Sequence, residues 1–352
     1  MDMWLLRLKK GLGLALVWTV LTLVLGEMGL RVFDWADRRF LIGARIHSTM
    51  QGRWLDPATR EYVSRSHKTL IYRNTPNYRT SQIHINSLGF RGDEFTPRKP
   101  ERVWRIVALG DSCTFGWGLP DGDTYPARLA DRLARECKKE VSVINAGVPG
   151  YSSWQTARWL QTELFGYDPD IVTVYVGWND LFEARPGSGG DVEGRKRRAY
   201  LLRKSRLLAE IRTAFVWYRS RIEGTYHPDF YEDYRPAFFE TQLTKILSEA
   251  KKRGVRVVLC SLPTAYQKGD ERADPYIERD RRRFEILYER YNAVLRRMAE
   301  RHEAEWLDLA GPMNGRKELF LDFCHPSARG NEVISGLLTR TLMGMERGVS
   351  PE

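Results

Sequence analysis

A chain of 352 residues is too long for one small core and fits one large domain with appendages. With 42% apolar, 12% aromatic and 29% charged residues it has the material for a packed interior, which excludes an intrinsically disordered chain. The net charge of +11 suits anionic partners such as phospholipid headgroups or acidic glycans; nucleic acid is not expected, because no zinc-finger spacing, aromatic RNA-binding signature or basic-zipper heptad is present.

After a short basic tail, residues 1–10, the stretch 11–26 reads GLGLALVWTVLTLVLG, and the apolar run continues to Phe33 with Glu27 and Arg31 as interruptions. That length crosses a bilayer core. Arg7, Lys9 and Lys10 precede it, as in a signal peptide or signal anchor. No A-x-A-like cleavage pattern and no lipid-accepting cysteine follows, so an uncleaved transmembrane anchor is expected over residues 11–33. The alternative is a buried core helix, but such helices rarely lack a polar face. Arg31, Arg38, Arg39 and Arg45, after the clean apolar stretch 11–26, nearly balance the basic residues before it. The reading favours a single-pass protein of the cell membrane with the bulk of the chain on the extracytoplasmic side.

Residues 34–102 form a connecting region expected to pack on the domain that follows. Within it Ile83-His84-Ile85-Asn86 alternates like a short strand, and Ser87-Leu88-Gly89 reads as a turn. The main domain is expected over residues 103–343. Strands are read at 105–109, 141–145, 171–176, 255–261 and 306–309, with helices at 125–138, 238–252, 284–301 and 327–343. A long insertion, about 181–254, holds the basic cluster Arg195-Lys196-Arg197-Arg198 and a basic amphipathic helix over 200–219. That helix reads either as a solvated helix on the sheet or as a lid or membrane-surface element. Residues 344–352 are a C-terminal tail. Strands alternating with helices imply a parallel sheet covered on both faces, with functional groups at the carboxyl ends of strands.

Polar, reactive residues collect at those strand ends. Ser112 follows the first strand in Gly110-Asp111-Ser112, at the start of a helical stretch. A serine hydroxyl needs a base within hydrogen-bond reach to act as a nucleophile. Gly150 follows the second strand with an unobstructed N–H, and Asn179, in Gly177-Trp178-Asn179-Asp180, follows the third with an amide donor. Together with the Ser112 N–H these donors would form an oxyanion hole. Of the six histidines, at 47, 67, 84, 227, 302 and 325, only His325 combines a strand-end loop, a neighbouring acid and a following helix. Asp322 lies three residues before it and can fix its tautomer. Cys113, Cys137, Cys260 and Cys324 form no C-x-x-C pair, so no zinc or redox centre is expected. A bridge between Cys113 and Cys324, which flank the candidate nucleophile and base, stays open.

The four blocks Gly110-Asp111-Ser112, the glycine block ending at Gly150, Gly177-Trp178-Asn179-Asp180 and Asp322-x-x-His325 resemble the SGNH (GDSL-type) hydrolases, over roughly residues 103–343. The resemblance implies a flavodoxin-like three-layer α/β/α sandwich with a five-stranded parallel sheet. It also implies a Ser112–His325–Asp322 triad and an oxyanion hole from Ser112, Gly150 and Asn179. Gly147 competes with Gly150; the family's spacing from Asn145 favours Gly150. The G-x-S-x-G elbow of the α/β-hydrolases is absent. The N-terminal anchor and Asn86-Ser87-Leu88-Gly89-Phe90-Arg91 look like the membrane-anchored bacterial members.

The expected activity is ester hydrolysis through an acyl-serine, on an O-acylated glycan with short acyl chains. A lipid or lysophospholipid ester, a thioester, or acyl transfer by the same triad are the alternatives, and a non-catalytic scaffold is the remaining one. No metal or organic cofactor is expected, and the oligomeric state is not legible.

Overall fold

The computed structural model describes residues 14–32, 63–137, 139–184, 194, 207, 211, 231, 233–268, 277 and 280–347. The chain divides into two compact units, one of Met1–Tyr62 with Glu193–Thr225, the other of Val63–Val192 with Tyr226–Glu352.

In the first unit, helix α1 (Leu14–Val32) is 19 residues long with mean hydropathy 1.6, enough length and apolar character to cross a membrane. Its Thr19 and Thr22 hydroxyls donate to the carbonyls of Ala15 and Trp18, both at 2.8 Å, so neither is left unsatisfied in the apolar run. Glu27 accepts from Arg31 one turn on at 2.7 Å, and from the Leu207 backbone N–H at 2.8 Å. The amphipathic helix expected over 200–219 lies outside the described residues except for Leu207 and Ile211, both helical.

The second unit begins with a hairpin, β1 (Ser64–His67) and β2 (Ile71–Asn74), paired antiparallel. Its polar four-residue strands carry too little alternation to be read from sequence. The stretch 83–86 forms no strand: it makes only isolated antiparallel bridges, Arg79 to His84 and Ile85 to Arg91.

Five parallel strands follow: β3 (Val103–Gly110), β4 (Glu140–Gly147), β5 (Ile171–Tyr175), β6 (Arg256–Cys260) and β7 (Glu305–Leu307), in the order β4-β3-β5-β6-β7. Every residue of β3 and β5 is buried, as a strand covered on both faces requires. The chain runs outward from β3 to β4, then returns to place β5 on the other side of β3. The crevice where strand order reverses therefore lies beyond the carboxyl ends of β3 and β5.

Helices cover both faces. Helix α3 (Tyr125–Glu136) packs with the last helix, Ala328–Arg347, on one side, while Ser153–Thr162, Ala237–Lys252 and Arg281–His302 pack together on the other. Helix α3 carries Pro126 in its first turn, where a missing N–H costs nothing, and Asn331 Oδ1 accepts the Tyr125 N–H at 2.8 Å. Asp280 caps the long helix Arg281–His302 by accepting the Arg283 N–H at 3.3 Å. The five strands expected in the main domain, and its helices at 125–138, 238–252, 284–301 and 327–343, are present with ends shifted by a few residues. Helix Ser153–Thr162 was not expected.

One correction concerns the last strand. Expected over 306–309, with the Asp-x-x-His block following it, it stops at Leu307. Ser261 Oγ accepts the N–H groups of Leu309 at 2.7 Å and Ala310 at 2.8 Å, which turns the chain out of the sheet. A short helix, Ala310–Met313, and a 3-10 turn, Lys317–Leu319, come before Asp322.

Candidate active site

Strand β3 delivers the chain to Asp111, whose buried carboxylate accepts the Cys113 N–H at 2.9 Å and caps the four-residue helix α2 (Ser112–Phe115). Ser112 is thereby the first helical residue, with an N–H that has no acceptor inside so short a helix. Burial pushes the Asp111 carboxyl up to about 6 against the lowering effects of the Cys113 N–H and the charge of His325.

The Asp322–His325 loop approaches from the other end of the chain. It is closed by a Leu321 N–H bond to the His325 carbonyl at 2.8 Å. His325 Nε2 lies 2.8 Å from Ser112 Oγ, and its Nδ1 lies 2.6 Å from Asp322 Oδ2. Asp322 Oδ1 also accepts the N–H groups of Cys324 and His325, each at 2.8 Å. Partial burial would raise this carboxyl, but the hydrogen bond and charge of His325 and the two backbone donors outweigh it and hold it down at about 2. An ionised Asp322 keeps a proton on Nδ1, so the Nε2 lone pair faces the serine hydroxyl. The three residues expected to act together are in contact.

The glycine block separates into two roles. Gly147 N–H is taken by Asn145 Oδ1 at 3.0 Å. A Cβ on Gly147 would stand 2.1 Å from Phe115 N, so glycine is needed there for β4 to touch α2. Gly150 has φ 79°, the left-handed region, and its N–H has no partner among the described residues. Gly150 is thus the glycine of the pair with a donor to offer. Asn179 is the second residue of a short helix, Trp178–Glu183, after β5, and its Nδ2 donates to the Tyr151 carbonyl at 2.9 Å.

Several further residues, given no role from the sequence, support the site. Asp180 accepts both the N–H (2.8 Å) and the hydroxyl (2.6 Å) of Ser153, tying the loop after β5 to the helix after β4. The hairpin braces the Gly150 turn: Tyr72 OH donates to the Pro149 carbonyl at 3.0 Å, Tyr151 OH to the Tyr72 carbonyl at 2.6 Å, and Asn74 Nδ2 to the Gly147 carbonyl at 3.0 Å. Trp178 and Phe323, close in sequence to Asn179 and His325, belong to one aromatic cluster, their rings 6.1 Å apart. Trp178 stacks on Phe182 at 5.9 Å, and Phe182 meets Phe323 edge-on at 5.5 Å.

Cys113 and Cys324 are free thiols, both buried. Cys113 S–H donates to the Cys324 carbonyl at 3.4 Å, and burial pushes the Cys113 thiol up to about 11, so it is a poor nucleophile. Asp322, Cys324 and His325 place potential metal-ligand atoms within 4.8 Å of one another, but two of the three are already committed to the Asp322–His325 pair.

A sequence model of the GDSL-like lipase/acylhydrolase family matches residues 108–333. No curated protein matches the chain. Among solved structures, a GDSL-like lipase from Bacteroides thetaiotaomicron is 16% identical, covering 68% of this chain and 88% of its own, with a TM-score of 0.42. A lipase/acylhydrolase from Enterococcus faecalis is 20% identical, covering 69% and 96%, with a TM-score of 0.43. A variant of an acetyl-xylooligosaccharide esterase from Geobacillus is 15% identical, covering 67% and 93%, with a TM-score of 0.45.

Proposed function

The chain belongs to the GDSL-like lipase/acylhydrolase family, and on that premise we propose that it hydrolyses O-acyl esters through an acyl-serine intermediate on Ser112. The observation that carries the reading is the unbroken relay of Ser112 Oγ, His325 and Asp322, at 2.8 and 2.6 Å. His325 Nε2 takes the Ser112 proton as Oγ attacks the ester carbonyl carbon. The carbonyl oxygen becomes an oxyanion and accepts from Ser112 N–H, Gly150 N–H and Asn179 Nδ2–H. His325 then returns the proton to the departing alkoxide, leaving the acyl-serine. Water, deprotonated by His325, attacks that ester; the carboxylic acid leaves and Ser112 recovers its proton.

The substrate reading is a short-chain ester carried by a glycan at the membrane surface. It is supported by the anchor-like α1, by the net charge of +11 that suits an acidic glycan, and by Phe182 and Phe323, flat apolar faces of the kind that pack against a sugar ring. The same rings would serve the acyl chain of a lipid ester, which is the second reading. In both, α1 spans the membrane once and the larger unit stands on the extracytoplasmic side.

Purified full-length protein in detergent is expected to hydrolyse p-nitrophenyl acetate, and Ser112→Ala to remove the activity while leaving the melting temperature unchanged. Equal rates for the two proteins would refute the proposal. Parallel assays on acetylated glycan and on lysophospholipid separate the two substrate readings.

A further inference from the structure

The conspicuous sequence Asn86-Ser87-Leu88-Gly89-Phe90-Arg91 lies well before the nucleophile, and the mechanism above makes no use of it. Its last residue is an arginine whose side chain is only 1% exposed. The guanidinium is spent on the turn that follows Ser112. Nη1 donates to the carbonyls of Phe115 at 2.8 Å and Gly116 at 2.7 Å, and Nη2 to that of Leu119 at 2.5 Å. Nε is held by Asp121 Oδ1 at 2.7 Å, and the cation sits 4.7 Å above the Phe115 ring.

Phe115 ends α2, Gly116 caps it, and Leu119 closes the turn that follows, so none of the three carbonyls is met inside the four-residue helix. Inside α2 only the early carbonyls are used: Phe115 N–H returns to Asp111, and the N–H groups of Gly116 and Trp117 both return to Ser112. The Gly116 carbonyl also accepts the Leu119 N–H at 3.2 Å, and that of Phe115 has otherwise only the Asn145 amide at 3.5 Å, so both have room for a further donor. A planar cation with five N–H groups meets several of them at once and places positive charge at the helix C-terminus, where it is favourable. The same turn abuts the histidine loop. A Cβ on Gly118 would stand 2.9 Å from Leu321 Cδ1, and the Leu321 N–H bonds the His325 carbonyl. Arg91 also joins the end of β4, through its own N–H to the Asn145 carbonyl at 3.4 Å.

We infer that Arg91 is a positioning residue for the nucleophile: by binding the carbonyls of Phe115, Gly116 and Leu119 it fixes the far end of the Ser112 turn, and so the separation of Ser112 Oγ from His325. Asp121 orients the guanidinium for that task and is itself anchored by the His84 N–H at 2.9 Å. The inference rests on the serine-esterase reading. Lysine is a poor replacement, because a point-like ammonium with three donors cannot reproduce the fork.

The test uses full-length protein in detergent, a fluorophosphonate probe that phosphonylates the reactive serine, and the variants Arg91→Lys and Asp121→Asn. Melting temperature, the final number of probes per chain and the second-order labelling rate are measured. The expected result is one probe per chain for all three proteins, with labelling roughly 10–100-fold slower for Arg91→Lys and about 3–10-fold slower for Asp121→Asn, the scale of a small misplacement of a reacting group. The kcat on p-nitrophenyl acetate falls in parallel while KM stays within about threefold. A role in folding alone predicts the opposite pattern, a reduced end point with a normal rate in the folded fraction, and that result overturns the inference. So does labelling of folded Arg91→Lys at the wild-type rate. If Arg91→Lys does not fold, Asp121→Asn decides: slow labelling to a full end point upholds the inference, and a wild-type rate overturns it. A wild-type chain that takes no probe at Ser112 overturns the esterase reading, and this inference with it.

Discussion

The Asn179 amide and the Asp111 carboxylate face each other at 3.5 Å, while the same amide nitrogen gives its short bond, 2.9 Å, to the Tyr151 carbonyl. One N–H of the amide is thus fixed by the residue after Gly150, and the other has only a long approach to the residue before Ser112. That geometry leaves the second N–H open to a developing oxyanion while the first orients the group. Asn179→Ala is expected to lower kcat by roughly 10²- to 10³-fold, the usual cost of one lost oxyanion donor. Asn179→Asp should be worse than Asn179→Ala, because it sets a second carboxylate beside Asp111. Steady-state kinetics on a p-nitrophenyl ester checks the order.

Asp322 and the histidine make a separate prediction about acid. The Asp322 carboxyl is held at about 2 in the folded chain, below its ordinary 3.8. A lowered carboxylate stabilises the fold fully above its unfolded value, and that contribution is lost as pH falls from near 3.8 through 2. Asp322→Asn should remove this acid-labile part of the stability, so its melting temperature falls less steeply than wild type below pH 4. Its kcat at neutral pH should drop by about 10³- to 10⁴-fold, since an amide cannot keep the proton on Nδ1.

Asp111 runs the other way. Its carboxyl is raised to about 6 from 3.8, so between those values the folded chain binds more protons than the unfolded one. Stability therefore decreases as pH rises from 3.8 to 6, by on the order of 3 kcal/mol for this group taken alone. Asparagine keeps a capping oxygen for the Cys113 N–H and does not ionise. Asp111→Asn should accordingly gain on wild type as pH rises from 4 to 7, read by urea unfolding at each pH. A difference independent of pH would sink the prediction.

Gly147→Ala forces a methyl to within 2.1 Å of Phe115 N, a backbone atom with nowhere to move. Destabilisation of roughly 3 kcal/mol or more is expected, with activity lost in whatever folds, because α2 carries Ser112. Gly122→Ala is the control: nothing lies within 4 Å of its added carbon, and it should change stability by less than about 0.5 kcal/mol. Thermal melts of the two variants settle the contrast.

What the sequence made legible follows from local chemistry. Buried parallel strands such as VWRIVALG announce themselves as apolar runs, and Ser112, Asn179 and His325 stand in short motifs at the ends of elements. The hairpin Ser64–Asn74 was not legible because its value lies in contacts 77 to 79 residues away, such as Tyr72 with Pro149 and Tyr151 with Tyr72. The end of β7 was misplaced for a related reason: the hydroxyl that turns the chain at Leu309 belongs to Ser261, 48 residues earlier. Spacing from Asn145 already favoured Gly150 over Gly147, and the bonded state of each N–H, which no spacing carries, gives the physical reason.

The bracing of the Gly150 turn by Tyr72 and Asn74 has a practical consequence for dissecting the molecule. The span that matches the family runs from residue 108 to 333, starting inside β3 and ending inside the last helix, and it leaves the hairpin out. A fragment trimmed to those borders would keep most of the sheet and all three relay residues. It would lose the struts beneath the Gly150 turn, and with them Arg91. A fragment that keeps these struts therefore begins no later than Val63, where the larger unit starts, and it also keeps the first half of β3, which a border at residue 108 would cut away.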